Sequence, residues 1–228
     1  KFDLLGGISG NILFKIHFHK YFKSEYKNLY GDIELLIYRL SNSIYTIGGI
    51  SGLSGVLYLL NNIKKIYPEF NAIDELIEQV EQLVLDAFDK FLLVKNYDTL
   101  HGATGIIIIF LDNPDKYKVQ IENFINYVYN EFADKNNLEK FSKFNDKTFI
   151  YEFKDGYSNS SLSHGISGML IVFSKLYKLN RSSQKVKDVC ENLICLLNKF
   201  KLNNNDSCFT NILPNTNKST RMAWCVGD

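Results

Sequence analysis

Neither sign of charge dominates this 228-residue chain: 26 Lys and Arg stand against 25 Asp and Glu, a net charge of +1. That balance lacks the electrostatic footprint of a dedicated nucleic-acid binder, and no nucleic-acid partner is expected. Cysteine is scarce. Cys190, Cys195, Cys208 and Cys225 are too few for a disulfide scaffold and read as reduced thiols of a cytoplasmic protein. Long hydrophobic runs are missing too. The longest purely apolar stretch is Ile106–Leu111 with its flank, far short of the roughly 20 residues a transmembrane helix needs. The opening Lys1-Phe2-Asp3 does not lead from a basic segment into an apolar one, so no secretory signal is read there. Cys-x-x-Cys and His-x-x-x-His pairs are absent, and His17 and His19, two apart on a helix, do not face one ion. A self-contained metal site is excluded on that pattern. Without an initiator Met, and breaking off at Trp224-Cys225-Val226-Gly227-Asp228, the sequence reads as part of a longer chain. At 46% hydrophobic and 22% charged residues, intrinsic disorder is excluded.

What is present repeats. Eleven of the 14 glycines fall in four clusters: Gly6-Gly7-Ile8-Ser9-Gly10, Gly48-Gly49-Ile50-Ser51-Gly52 extended by Gly55, His101-Gly102-Ala103-Thr104-Gly105, and His164-Gly165-Ile166-Ser167-Gly168. Such clustering marks a repeated supersecondary unit with loops of varying length. Each cluster opens an apolar stretch, such as Ile106–Leu111 or Met169–Phe173, that reads as a helix hydrophobic nearly all round. Between clusters lie helices with a single apolar stripe, over 74–94 (76, 77, 80, 83, 84, 87, 88, 91, 92), at Ile121, Phe124, Ile125, Val128 and Phe132, and at Val186, Val189, Cys190, Leu193, Ile194, Leu197 and Phe200. The unit is a Gly-rich turn, a buried helix, a loop and a one-faced helix. Closed into a ring, such hairpins give an all-α fold, an α/α toroid with inner and outer helix rings; an open stack would use the same units, and the all-round apolar helices favour the ring. The Gly-x-x-Gly spacing puts two residues without Cβ on one face of the first turn, where backbone or a ligand approaches closely.

The third and fourth clusters carry His101 and His164 where the first two carry Gly. Each stands just before a helix N-terminus, a place suited to a hydrogen-bonding structural role or to catalysis. Asp98, four residues ahead of Gly102, fits both a helix cap and a catalytic group. The run Arg221-Met222-Ala223-Trp224-Cys225-Val226-Gly227 holds the only Trp and one of three Arg, after an Asn-rich polar loop. It reads as the start of a further repeat. Cys190 lies in phase with its helix stripe, as a small core hydrophobe does.

These residues together resemble the lanthionine synthetase C-like (LanC-like) family, the cyclases of lantibiotic biosynthesis. The match rests on the Gly-x-x-Gly turns, Asp98-Thr-Leu-His-Gly102-Ala-Thr-Gly105, Ser163-His164-Gly165-Ile-Ser-Gly168 and Arg221-x-x-Trp224-Cys225-x-Gly227, in the family's order and across essentially the whole chain. The resemblance implies a single LanC-like domain over 1–228, cut short at its C-terminal side, in an incomplete toroid of helical hairpins. It implies a zinc ion with Cys225 as one ligand, and Asp98, His164 and Arg221 as catalytic residues. The implied reaction is addition of a Cys thiol of a dehydrated precursor peptide to dehydroalanine or dehydrobutyrine, giving a thioether. Implied partners are that peptide, a lanthipeptide dehydratase and an exporter, the last two giving a cytoplasmic protein membrane association.

Those residue types suit the chemistry. A peptide thiol with a pKa of about 8.5 is mostly protonated at neutral pH, and zinc delivers it as thiolate. Addition generates an enolate, which needs a proton donor, for which His164 is suited, and charge stabilisation, for which Arg221 is suited. Two departures stand out. Val226 occupies the position where the family carries Tyr or His, and the family's Cys-His-Gly motif, with its other two zinc ligands, does not follow before Asp228. The chain is therefore expected to act as an enzyme only where those ligands are supplied; the alternative is a non-catalytic LanC-like scaffold that binds peptides or proteins.

Overall fold

The structure, a computed structural model, describes residues 2–42, 48–132, 158–159, 161–180, 183–199 and 212–213. Among these are eight α-helices: α1 (Ile8–Tyr21), α2 (Leu29–Ser41), α3 (Leu53–Ile66), α4 (Asp74–Leu93), α5 (Ala103–Phe110), α6 (Lys118–Phe132), α7 (Ile166–Leu179) and α8 (Gln184–Lys199). A short 3-10 turn, Asn71–Ile73, leads into α4. Two two-residue strands, β1 (Ser158–Asn159) and β2 (Ile212–Leu213), pair antiparallel with Ser158 opposite Leu213. Apart from that bridge, the described secondary structure is helical, as the hydrophobic periodicity predicts.

The chain divides into two compact units, Lys1–Asp89 and Lys90–Asp228, the boundary falling inside α4. In the first unit, α1 packs on α2 and on α3. In the second, α5 packs on α6 and α7 on α8, while α5 also meets α7 and α6 also meets α8. Two hairpins thus lie side by side, the glycine-started helices against one another and the striped helices against one another. At eight residues, α5 is too short to hold itself together in water. Burial stabilises it instead: Ile106, Ile107, Ile109 and Phe110 are all inside, each contributing about 1.5–3 kcal/mol.

The expected stripes appear with local shifts. On α6 the buried residues are Ile121, Phe124, Val128 and Phe132. On α8 they are Val186, Val189, Leu193 and Leu196, with Ile194 turned outward and Cys190 half-buried. Asn192 fills the gap in the stripe and donates to the Phe132 carbonyl. The expectation of all-round burial holds for α3 and α5 but not for α1, where Ile12 and Ile16 are buried and Phe14 is 68% exposed, nor for α7, where Ile171 faces outward.

All four cluster-started helices begin at a glycine in extended conformation (Gly7, Gly52, Gly102, Gly165), and none has a side-chain cap. The preceding loop serves instead, laid against the first turn; the Ala103 N–H, for example, donates to the Asn96 carbonyl at 2.9 Å. A Cβ at Gly102 would sit 2.6 Å from that carbonyl oxygen, which is why the loop can approach only a glycine. The second cluster is read three residues too early from sequence. Its helix starts after Gly52, so the repeat is Ser51-Gly52-Leu53-Ser54-Gly55, and Gly49 supplies a left-handed turn (φ 67°) ahead of it. The hydroxyl ahead of each last glycine ties turn to helix where Ser54 donates to the Gly49 carbonyl and Thr104 to the Tyr97 carbonyl.

Candidate functional site

The second unit brings two of the sequence-selected residues into contact. Helix α4 ends in a left-handed turn at Lys95 (φ 56°), and the Asn96 N–H returns to the Phe91 carbonyl at 2.8 Å. That reversal sends Tyr97, Asp98 and Thr99 inward, all of them buried. Burial raises the Tyr97 hydroxyl well above its ordinary value, with Glu131 and Tyr127 adding to the rise. Asp98 then folds back on its own chain. Its Oδ1 accepts the Leu100 N–H at 2.7 Å and the His101 N–H at 2.8 Å, and its own N–H donates to Asn96 Oδ1 at 3.2 Å. Sequence position alone fits a helix cap as well as a catalytic group. The structure shows a turn-forming aspartate upstream of the cap residue, Gly102, whose N–H donates to the Asp98 carbonyl at 3.0 Å.

This leaves Asp98 Oδ2 for a long-range partner. His164 Nδ1 lies 2.7 Å from it, with the carboxyl side chain 5% exposed and the imidazole 21% exposed. Two loops are pinned together to make this contact. The Ser163 carbonyl accepts both the Thr99 and Leu100 N–H groups at 3.2 Å, and the Ser161 hydroxyl accepts the His164 N–H at 3.2 Å. Thr99 also packs where Gly168 has no side chain; a Cβ there would collide with the Thr99 hydroxyl and the Leu162 carbonyl. The glycine pattern therefore sets the approach of the two loops as well as the helix start.

His101 completes the group. Its ring lies over that of His164 with centroids 5.8 Å apart and planes 24° from parallel. Burial holds its imidazole below the ordinary value; the Asp98 carboxylate pulls it back up and His164 pushes it further down. Since a carboxylate only accepts, the Asp98 contact places the hydrogen on His164 Nδ1 when that ring is neutral and leaves Nε2 as the basic nitrogen.

Arg221 and Cys225, the other two residues selected from sequence, lie outside the described residues, as does Val226. Among the described residues no group of three or more His, Cys, Asp or Glu side chains is arranged to hold a metal ion. At the Asp98–His164 pair, Asp98 Oδ1 accepts two backbone N–H groups and Oδ2 faces His164 Nδ1. The described residues do not fit a zinc site. Sequence reading passes over Asn96, Ser161 and the pairing of His101 with His164. A readable signal is the offset: Asp98 and Ser161 each stand four residues before a cap glycine, as Asp3 does before Gly7.

The comparisons agree with this architecture. A family model described as "Lanthionine synthetase C-like protein" matches residues 1–228. Among solved structures, nisin cyclase is similar with a TM-score of 0.69 and 18% identity, over 90% of this chain and 54% of that one. The chain thus spans about half the length of nisin cyclase, and at that identity the likeness shows the fold: all-α, of the α/α-toroid class, present in part. No curated protein matches the chain. No helix among the described residues is long and apolar enough to cross a membrane.

Proposed function

The chain belongs to the lanthionine synthetase C-like family, and from that premise we propose that it is a lanthipeptide cyclase, forming one LanC-like domain over 1–228. It adds Cys thiols of a dehydrated precursor peptide to dehydroalanine or dehydrobutyrine, closing thioether rings in lantibiotic biosynthesis. The observation that carries this reading is the buried Asp98 Oδ2 held 2.7 Å from His164 Nδ1. A carboxylate that fixes an imidazole through Nδ1 orients Nε2 for proton transfer and stabilises the imidazolium that forms. In the reaction the S–H bond breaks and sulfur bonds to the alkene β-carbon. The π-electrons move onto the α-carbon and its carbonyl, and a proton returns to the α-carbon. Nothing is oxidised or reduced, and the product is an isomer of the substrate. His164 Nε2 carries the proton, and Asp98 positions it. Arg221 steadies the enolate charge.

Cys225 is proposed as a zinc ligand; because the described residues do not form a zinc site, no step runs through the metal. A dehydratase and an exporter are the proposed partners, and the proposed location is the cytoplasm, with membrane association through those partners.

The test is thiol consumption. Ring closure leaves peptide mass unchanged but removes free thiols, so alkylation after incubation counts the rings. With the intact protein and a dehydrated Cys-containing peptide, His164→Ala should slow thiol loss by about 10²–10⁴-fold. A native protein that consumes no thiol, or a His164→Ala variant that matches it, would overturn the proposal. Zinc stoichiometry tests the ligand separately: Cys225→Ala should lower the bound zinc of the intact protein, and unchanged content rules Cys225 out.

A further inference from the structure

The first unit has a cavity of its own. Helix α1 closes on a left-handed turn at Lys23 (φ 52°), where the Ser24 N–H donates to the His19 carbonyl at 3.0 Å. The Ser24 hydroxyl lies 2.8 Å from His19 Nδ1. That reversal lays residues 25–28 back beside the helix, and the Tyr26 ring stacks on the His19 imidazole with centroids 5.0 Å apart. Helix and loop together line a cavity of about 520 Å³, a size that holds a drug-sized ligand or a few residues of peptide. Its rings are those of Phe14, Phe18, His19 and Tyr26. Phe14, Phe18 and Phe22 form a ladder along α1, with successive centroids 6.0 and 4.5 Å apart, and all three are exposed. Contiguous aromatic surface left in water marks an interaction site.

The charged groups say what kind of partner fits. Asp32 is buried and accepts from Lys15 Nζ at 2.8 Å, from Asn28 Nδ2 at 3.3 Å and from the Tyr26 hydroxyl. These bonds fix the Lys15 ammonium 5.8 Å from the Tyr26 ring centroid. An ammonium has three donors, and Lys15 spends one on Asp32. Lys27 also lines the cavity and forms no ion pair among the described residues. Glu25 is the one acid in the lining. Residues 15–32 hold four Lys against Glu25 and Asp32, a net of +2 where the whole chain has +1.

We propose that this cavity is a docking site for an acidic peptide segment bearing apolar side chains: the rings take the side chains, and Lys15 and Lys27 take the carboxylates. A helix that lies on a bilayer keeps its lysines on the face opposite its apolar one. Here the lysines share a concave site with the rings, and the opposite face of α1, Ile12 and Ile16, is buried in the protein. The docking is a property of the first unit. Assigning the segment to the precursor peptide rests on the cyclase reading: it is then a part of the substrate other than the reacting Cys, and its binding raises affinity without touching the chemical step.

The test is fluorescence anisotropy of the intact protein with a short labelled peptide alternating Glu with Leu and Phe. Saturable binding is expected, with at least about tenfold weaker binding when Lys replaces Glu or Ser replaces Leu and Phe. Phe14→Ser should weaken binding about tenfold. Lys27→Glu should weaken it about fivefold and flatten its salt dependence. Both positions are on the surface, so melting temperatures should stay near native, and should one variant fail to fold, the other carries the comparison. In thiol consumption, Phe14→Ser should raise KM for the precursor peptide with kcat near native; an unmoved KM would overturn the assignment to the substrate. Absence of saturable binding, equal binding of the three peptides, or native affinity in both variants would overturn the docking site. So would sedimentation with phosphatidylglycerol vesicles, or self-association, that Phe14→Ser abolishes and the peptide does not compete away, since a bilayer or a second copy then occupies the face. If the native protein closes no rings, the cyclase reading fails while anisotropy still decides the docking.

Discussion

The first and third glycine turns have the same construction and different contents. In the first, Asp3 Oδ1 accepts the Leu5 N–H at 3.0 Å and the Gly6 N–H at 2.7 Å, and the Gly7 N–H donates to the Asp3 carbonyl at 3.1 Å. In the third, Asp98 makes the corresponding bonds to Leu100, His101 and Gly102 at 2.7, 2.8 and 3.0 Å. The aspartate is thus a device of the fold in both. What distinguishes the third turn is the other oxygen: Asp98 Oδ2 reaches His164, sixty-six residues away, and a second imidazole stands where the first turn has Gly6. One carboxylate can shape a turn with one atom and hold an imidazole with the other. The first unit has its own buried aspartate, Asp32, but its partners are Lys15 at 2.8 Å, Tyr26 and Asn28. Burial alone would raise that carboxyl, yet the Lys15 and Tyr26 bonds outweigh it and hold it below its usual range. Lys and Tyr keep their protonation state through neutral pH, so that cluster is electrostatic cement; a histidine partner changes state there.

The sharpest way to separate the two roles of the aspartate is the same substitution in both turns. Asn retains an oxygen for the two turn N–H groups, so Asp98→Asn and Asp3→Asn should both fold with little change in melting temperature. At Asp98, however, the amide offers a donor to His164 Nδ1, which favours the wrong tautomer and puts the hydrogen on Nε2. Thiol consumption should fall by about 10²–10⁴-fold in Asp98→Asn and stay near native in Asp3→Asn. Equal activity in the two variants would reduce Asp98 to a turn residue.

The glycines give the next largest effect. A Cβ at Gly10 would collide with the Leu4 carbonyl, and one at Gly168 with the Leu162 carbonyl and the Thr99 hydroxyl. Ala favours a helix interior over Gly by roughly 0.5–1 kcal/mol, but the obstacle in each case includes backbone, which relieves overlap only by moving a loop. Each Gly→Ala change should cost about 1–3 kcal/mol net, the usual range for overpacking, read from urea unfolding. Activity then tells the two sites apart. Gly168→Ala should also displace Thr99, slacken the Asp98–His164 contact and lower thiol consumption per folded molecule, and Gly10→Ala should not. Loss of activity in both would mean that the clash acts through global stability.

Much of this is legible from residue types. The inner and outer helices emerge from apolar periodicity, and the helix starts from glycine clusters, because both are local properties of the chain. The second cluster is misplaced by three residues because Gly48-Gly49-Ile50-Ser51-Gly52 satisfies the same pattern as Ser51-Gly52-Leu53-Ser54-Gly55; only the loop carbonyls packed on the first turn decide between them. The exposed side of α1 escapes periodicity altogether, since Phe14 and Phe18 make the helix as apolar outside as Ile12 and Ile16 make it inside. Asp98 and His164 can be chosen from their motifs, but their contact spans two repeats and depends on Ser163, Thr99 and Gly168, which no local pattern joins. His101 is visible as a departure from Gly, and its stacking on His164 is not.

The smallest expected effect is one of stability against pH, and it too separates the turns. Burial lowers His101 in the folded chain, so below its unfolded value of about 6.5 the unfolded state binds more protons than the folded one. Stability tied to this group is fully present above that value and is lost as pH falls from about 6.5 toward the lowered folded value. The first turn, with Gly6 in that place, contributes no such dependence. Asp32 loses its contribution in a separate and more acidic window, as pH drops below the ordinary 3.8. Urea midpoints of the intact protein at about pH 7 and about pH 5 should therefore fall more in the native chain than in His101→Phe. The difference between the two isolates this residue from every other titrating group, and a native chain whose midpoint falls no more than the variant's would mean that the fold does not hold His101 neutral.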